Sequence, residues 1–296
     1  MKLERRIPMK EYHNGHFEGE RALFRLSDAK ISDSLFDNGE SPLKEGRNLI
    51  IDHVTFGYKY PLWYGKGHQV TNCTFLEMSR SGLWYTEDSS FSDLDIIAPK
   101  EFRRCRNITL ERVRFTNAQE TLWNCSKVTL KDIQAKGDYF GMGSEDVTIE
   151  NMVLDGNYAF DGGKNIKAKN CVFNTKDAFW NCENVTLQNC VLNGEYFSWN
   201  SRNITLIDCK VTSHQGFCYM ENVVLKNTSI SPDSDLIFEY CKNLDVETPS
   251  LLLSVKNPES GTIRALFVKE LIQDDERIDK SKIRILVRKG SGYEEI

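Results

Sequence analysis

The sequence predicts an all-β solenoid, a single-stranded right-handed parallel β-helix of about twelve rungs. Three observations predict it: a repeat with a period near nineteen residues, apolar alternation inside each repeat, and an Asn or Asp at a fixed place within it. The repeat is plainest where "DAFWNCENVTLQNC" (Asp177–Cys190) is followed by "EYFSWNSRNITLIDC" (Glu195–Cys209). Rows on the pattern Asn-apolar-x-apolar-x-Asn-apolar-x-apolar start at Asp28, Asn48, Gly67, Asp88, Asn107, Lys127, Asp146, Asn165, Asn184, Asn203, Asn222 and Asn243. A short fixed period marks stacked units that bury a continuous core only together.

Within a row, pairs such as Ile108/Leu110, Val185/Leu187 and Ile204/Leu206 alternate with polar residues, the pattern of a strand with one face inward. The sixth position is often Asn or Asp: Asn72, Asp93, Asp132, Asn151, Asn170, Asn189, Asp208 and Asn227. These residues tolerate left-handed backbone and suit a sharp bend. Two more inward residues follow, such as Cys190 and Leu192, then a polar stretch, then an aromatic segment such as "AFWNC". Each row therefore reads as three short strands and three turns. Strands of successive rows stack ~4.8 Å apart, which makes twelve rungs a rod ~55–60 Å long. The nineteen-residue period, not a strict eighteen built of hexapeptides, favours the right-handed type.

The organisation expected is a cap over residues 1–27, the solenoid over 28–255, and capping strands over 256–296. "ERALFRL" (Glu20–Leu26) is the candidate N-terminal cap, since an open solenoid end exposes core and strand edge. "IRALFVKELI" (Ile263–Ile272) and "KIRILVRK" (Lys282–Lys289) read as two further strands.

Composition excludes several classes. A net charge of −5 with interspersed signs offers no basic nucleic-acid footprint. No apolar run reaches the ~18 residues of a spanning helix, and no secretory signal opens the chain, so no membrane partner and a cytoplasmic location are expected. Nine cysteines, an odd number without a CxxC, read as free thiols. Cys171, Cys190 and Cys209 share the slot after the bend, and Cys105, Cys125, Cys182 and Cys241 share another with Ser144 and Ser201. Both read as slots for small core side chains. The five histidines share no slot and no ligand cluster is expected among them; no metal and no cofactor is expected.

All five tryptophans (Trp63, Trp84, Trp123, Trp180, Trp199) fall four residues before a row start. Large residues precede the slot: Leu62, Leu83, Phe102, Leu122, Phe160, Phe179, Phe217 and Phe238. Consecutive strand residues face opposite sides, so one stripe must lie outside, whichever parity holds. It reads as a sugar-binding groove, a protein or homo-oligomer interface over Leu62, Leu83, Phe102 and Phe179, or a surface covered by the C-terminal tail. Acids gather just ahead of it. Asp177 and Glu195, on adjacent rungs at nearly the same slot, are the candidate acid and base or nucleophile of glycosidic chemistry, with Glu120 in reserve. Arg103 and Arg104 could meet a uronate carboxylate. Tyr139, Tyr196 and Gln215 could orient a sugar, and Trp180 and Phe179 could stack on it. The ordinary alternative is a solvated loop edge on every rung.

With these rows in place, the chain resembles the pectin-lyase-like superfamily, and within it an uncharacterised bacterial family of single-domain β-helix proteins. The residues that carry the likeness are "GERALF" (Gly19–Phe24), "ESPLKE" (Glu40–Glu45), "YPLWY" (Tyr60–Tyr64), "APKEFRR" (Ala98–Arg104), "ETLWNC" (Glu120–Cys125), "GDYF" (Gly137–Phe140), "KDAFWNCENVT" (Lys176–Thr186), "GEYFSWNS" (Gly194–Ser201), "QGFCY" (Gln215–Tyr219), "FEY" (Phe238–Tyr240) and "SVKNPESG" (Ser254–Gly261). The family implies a fold and no known reaction. The superfamily's polygalacturonases imply paired Asp with Gly-His-Gly, and this chain has only "DGG" at Asp161–Gly163. Pectate lyases imply a calcium-holding carboxylate set with a basic residue, of which Glu101, Glu120, Arg103 and Arg104 are a loose echo. The expected function is carbohydrate binding or processing on the aromatic face, of an oligosaccharide, acidic ones included; the alternative is a non-enzymatic interaction scaffold or homo-oligomer. Whether the protein is an enzyme stays open.

Overall fold

The computed structural model describes residues 9–296, and the start of the expected N-terminal cap, residues 1–8, lies outside the described residues. The chain is a parallel β-solenoid of about 15 turns with no α-helix among the described residues. A first strand side stacks Lys164–Lys169, Glu183–Gln188, Arg202–Ile207, Glu221–Lys226 and their equivalents. Its register puts like on like: Val147, Ile166, Val185, Ile204, Val223 and Leu244 form one buried column. A second strand side stacks Val172–Asn174, Val191–Asn193 and Lys210–Thr212, with Leu154, Phe173, Leu192, Val211 and Ile230 as its inward column.

Asn governs both corners of the first strand side. The row-start residues are left-handed, with φ between 53° and 59° from Asn165 through Asn243. The sixth-position residues match them: Asn151, Asn170, Asn189, Asp208 and Asn227 all have φ between 47° and 56°. A short amide side chain tolerates that backbone and can also reach the next coil. Asn184 donates to Asn165, Asn203 to Asn184, and Asn222 to Asn203, at 2.8–2.9 Å. A parallel ladder on the other corner links Asn189, Asn170, Asn151 and Asp132.

The third side corrects the three-strand reading. It is built from turns in which, from Lys100 onward, every second residue is left-handed, such as Asp177, Phe179 and Asn181 at φ 56°, 56° and 53°. Its N–H groups alternate in direction: Asp177 and Asn181 donate to the next coil, at the carbonyls of Glu195 and Trp199, while Phe179 donates back to Ala159. This turn-built side contributes inter-coil hydrogen bonds as a strand would, without extended geometry.

The stack is also longer than twelve rungs. Lys10–His13 pairs in parallel with Ser27–Phe36, and "ERALFRL" forms a turn-built segment whose Arg21, Leu23 and Arg25 amides donate to the next coil. At the other end Gly261–Ala265 and Ile283–Lys289 join the first strand side in parallel, and Gly292–Glu295 pairs antiparallel with the last strand. These end coils lack the Asn-centred pattern, so the twelve-rung count omitted them, although strands were expected over Ile263–Ile272 and Lys282–Lys289.

All nine cysteines are unpaired and buried. Their slot does more than accept a small side chain. The thiols of Cys105, Cys125, Cys182 and Cys241 donate to the carbonyls of Leu83, Phe102, Phe160 and Phe217; Ser144 and Ser201 donate from the same slot to Leu122 and Phe179. Each acceptor is an inward residue of a turn-built segment, left-handed in every case but Leu83, and its buried carbonyl gains a partner there; that of Phe160 also accepts the Gly163 amide.

Candidate functional site

The left-handed turns fix the parity of the aromatic segment. Leu62, Leu83, Phe102, Leu122, Phe160, Phe179, Phe217 and Phe238 point inward and are at most 2% exposed. This removes the interface expected over Leu62, Leu83, Phe102 and Phe179, and it removes Phe179 as a sugar-stacking residue: its ring packs on Phe160 at 5.4 Å inside the core. The tryptophans form the outer stripe, half-buried.

The outer rings are stacked on one another along the rod. Trp63 lies on Trp84 at 5.3 Å and Trp180 on Trp199 at 5.5 Å, each pair nearly parallel. Every indole N–H is used: Trp84, Trp123, Trp180 and Trp199 donate to the carbonyls of Lys100, Tyr139, Tyr196 and Gln215 at 2.5–2.7 Å, and Trp63 donates to Ser81. The indoles therefore clamp coil to coil and present edges to solvent. Tyr139, Tyr196 and Gln215, expected to orient a sugar through side chains, serve the stripe through their backbone.

Arg103 occupies the tryptophan column between Trp84 and Trp123, with its guanidinium 4.5 Å from both ring centres. It also pairs with Glu120 at 3.2 Å, and Lys100 reaches the same carboxylate at 3.3 Å. Two of the proposed groups are thereby committed to each other. Arg104 is different: it is exposed, lies 6.0 Å over Tyr85, and makes no ion pair among the described residues.

Asp177 and Glu195 are not brought into one slot. The ladder places Asp177 beneath Tyr196, while Glu195 follows Lys176 and pairs with it at 3.3 Å in solvent. Asp177 is 2% exposed, and burial raises its carboxyl above the usual range against the opposing pull of Lys176 and a hydrogen bond from Tyr158. The Asp177 charge in turn raises the Tyr158 phenol. Tyr139 stacks on Tyr158 at 4.8 Å, and Tyr196 packs edge-on to Trp199 at 5.5 Å. What assembles here is one protonatable carboxyl among phenols, with no second carboxylate facing it in the same column and no deep cleft around it.

Two residues escaped the sequence reading. His214 stands nineteen residues after Glu195, so the period itself could have found it. It shares the column of Lys176 and Glu195, packs on Tyr196 at 5.7 Å, and holds Asp235 through Nδ1 at 2.5 Å. Lys44 stands nineteen residues before Trp63 and lies 6.0 Å over that indole and 5.6 Å over Tyr64. It makes no ion pair among the described residues. Tyr64 stacks on Tyr85 at 4.6 Å with an interplanar angle of 1°, and is 42% exposed. Lys44 and Arg104 thus bracket a two-tyrosine stack with two cations that make no ion pair among the described residues.

Among solved structures the chain is similar to the surface protein and adhesin PfbA of Streptococcus pneumoniae (10% identity, 89% of each chain, TM-score 0.46). It is also similar to a tailspike protein double mutant of E. coli bacteriophage HK620 (8% identity, 95% of this chain and 73% of the other, TM-score 0.44). A third similarity is to QnrB1, a plasmid-mediated fluoroquinolone resistance protein (14% identity, 75% and 91%, TM-score 0.24). No curated protein matches the sequence. A family model does match, over residues 10–286, and by that match the chain belongs to the family described as protein of unknown function DUF3737.

Proposed function

We propose that the protein is a non-catalytic binding rod that holds an acidic oligosaccharide along its turn-built side. The observation that supports this reading is the Lys44–Tyr64–Tyr85–Arg104 surface, two cations with no ion pair among the described residues flanking a stacked tyrosine pair, Tyr64 exposed and Tyr85 half-buried. In the column of Glu145, Lys164, Glu183, Arg202 and Glu221, by contrast, charges alternate in sign from coil to coil. A pair of cations over rings suits a ligand with carboxylates and apolar sugar faces, since a guanidinium fork matches a carboxylate in shape and charge. The reading assigns no bond cleavage, because Glu120 and Glu195 are held in ion pairs and Asp177 has no partner carboxylate in its column. The test is binding to immobilised uronate-containing and neutral oligosaccharides. Uronate binding that is lost in Lys44→Ala with Arg104→Ala, and kept in Asp177→Asn with Glu195→Gln, supports the reading. Absence of binding, or turnover that the second pair of substitutions abolishes, overturns it.

A further inference from the structure

The first two coils carry a feature that departs from the charge pattern of the rest. Along the rod, a carboxylate in a column is answered one coil later by an amide or a cation: Asn48 on Asp28, Asn107 on Asp88, Arg112 on Asp93, Asn174 on Asp155. Near the N-terminal end, His16 and Phe17 pair with Leu35 and Phe36, so the next residues, Glu18 and Asp37, follow one another in a single column. The third member of that column is Gly57, whose amide bonds the Phe36 carbonyl and whose missing side chain answers neither acid. The only basic group contacting both among the described residues is the His16 imidazole. Its Nε2 lies 3.6 Å from Glu18 and 3.5 Å from Asp37, and the three ligating atoms all lie within 4.8 Å of one another.

We propose that His16, Glu18 and Asp37 form a site for a divalent first-row transition ion of the zinc type, which clips the first coil to the second. Donors ~2.1 Å from a tetrahedral ion sit about 3.4 Å from each other, close to the two histidine–carboxylate separations already present. The donor set, one imidazole and two carboxylates, suits zinc, manganese or cobalt and disfavours calcium and magnesium, which take oxygen ligands alone. Two carboxylates neutralise the ion, and the exposure of all three side chains leaves the remaining positions to water. His16 and Glu18 come from one coil and Asp37 from the next, so binding joins two coils at an end of the stack where, among the described residues, the first strand has a neighbour on one side only. The site is separate from the Lys44–Arg104 surface, and it stands or falls independently of the oligosaccharide reading.

The experiment is a thermal-unfolding titration of the full chain, stripped of metal and kept reduced, with Zn²⁺, Mn²⁺, Mg²⁺ and Ca²⁺. Zn²⁺ at saturating concentration is expected to raise Tm by about 2–4 °C, with little response to Mg²⁺ or Ca²⁺. His16→Ala, and separately Glu18→Gln with Asp37→Asn, are expected to weaken binding by about tenfold or more. His53→Ala, at another exposed histidine beside an aspartate, is expected to leave the response unchanged. Co²⁺ gives an independent readout: its spectrum should lack thiolate charge-transfer bands, since the cysteines are buried in the core. No zinc-dependent rise, a rise that survives both sets of substitutions, or thiolate bands with Co²⁺ would each overturn the site.

Discussion

The strand-built sides and the turn-built side belong to the same coils, yet they satisfy their backbones by different means. On the strand sides, inter-coil hydrogen bonds run through extended backbone, and Asn ladders close the corners. On the turn-built side, alternate residues are left-handed, their carbonyls accept from buried Ser and Cys side chains, and indole N–H groups clasp the next coil from outside. The lesson is that a solenoid face can be rich in large apolar residues both inside and outside without being a ligand groove. The inner rings fill the core and the outer indoles hold the coils together.

The largest effect expected tests that division directly. Phe179 is fully buried against Phe160 and Phe173, so Phe179→Ala should cost about 3–5 kcal/mol in denaturant unfolding. Trp180→Ala, one residue on, removes a half-buried ring and one hydrogen bond to the Tyr196 carbonyl. It should cost less, about 2 kcal/mol, with the fold intact. Equal losses at the two positions would break the distinction between filler and clamp.

Acidity should separate the two regions by sign. His68, at the start of a first-side strand, is 1% exposed; its Nδ1 accepts the Leu49 amide and its Nε2 has no partner. Burial lowers its pKa to about 4. A histidine kept neutral in the folded chain contributes stability above pH ~6.5 that is lost as pH falls toward 4, roughly 3 kcal/mol in all. Glu101, fully buried on the turn-built side, has its carboxyl pushed well above the usual range by burial, despite accepting the amides of Gly82 and Leu83. Its contribution is complete at low pH and is lost as pH rises through its folded value. Chemical denaturation across pH should therefore show His68→Gln flattening the acid limb and Glu101→Gln raising stability toward neutral pH. A parallel response of the two variants would contradict the burial seen at one of the sites.

Much of the fold was legible because the period repeats the same physics at each coil. The Asn positions read as bends are left-handed, and the cysteine slots read as buried are buried. The turn-built side was misread for a definite reason. Two-residue alternation of inward and outward side chains is shared by extended strands and by turns with a left-handed residue at every second place, and Phe179 or Leu122 at positive φ carries no sequence signal of its own. Phe and Leu are poor left-handed residues, and only the surrounding stack holds them there. The candidate site suffered from that error. Asp177 and Glu195 look aligned along the chain, but the ladder pairs Asp177 with Tyr196 and leaves Glu195 above Lys176. His16 and Glu18 gave no motif because their third partner, Asp37, arrives from the next coil.

The smallest effect expected concerns the slot that serves the turn-built carbonyls. Cys105 donates its thiol to the Leu83 carbonyl at 2.7 Å, and its own amide donates to the Cys125 sulfur at 3.4 Å. Ser144 and Ser201 occupy equivalent places and make the same bond, from O–H to carbonyl. A hydroxyl is the stronger donor and slightly smaller than a thiol, so Cys105→Ser trades a little apolar burial for a better hydrogen bond. The two changes oppose each other, and the net shift should stay within about 1 kcal/mol. Cys105→Ala keeps the slot filled but leaves the Leu83 carbonyl without a donor in a buried place, which costs about 1–3 kcal/mol. The order of stabilities, wild type close to Ser and both above Ala, distinguishes a hydrogen-bonding slot from a merely small one. If Ala matched Ser, the thiols would be filler, and the turn-built side would need another partner for its inward carbonyls.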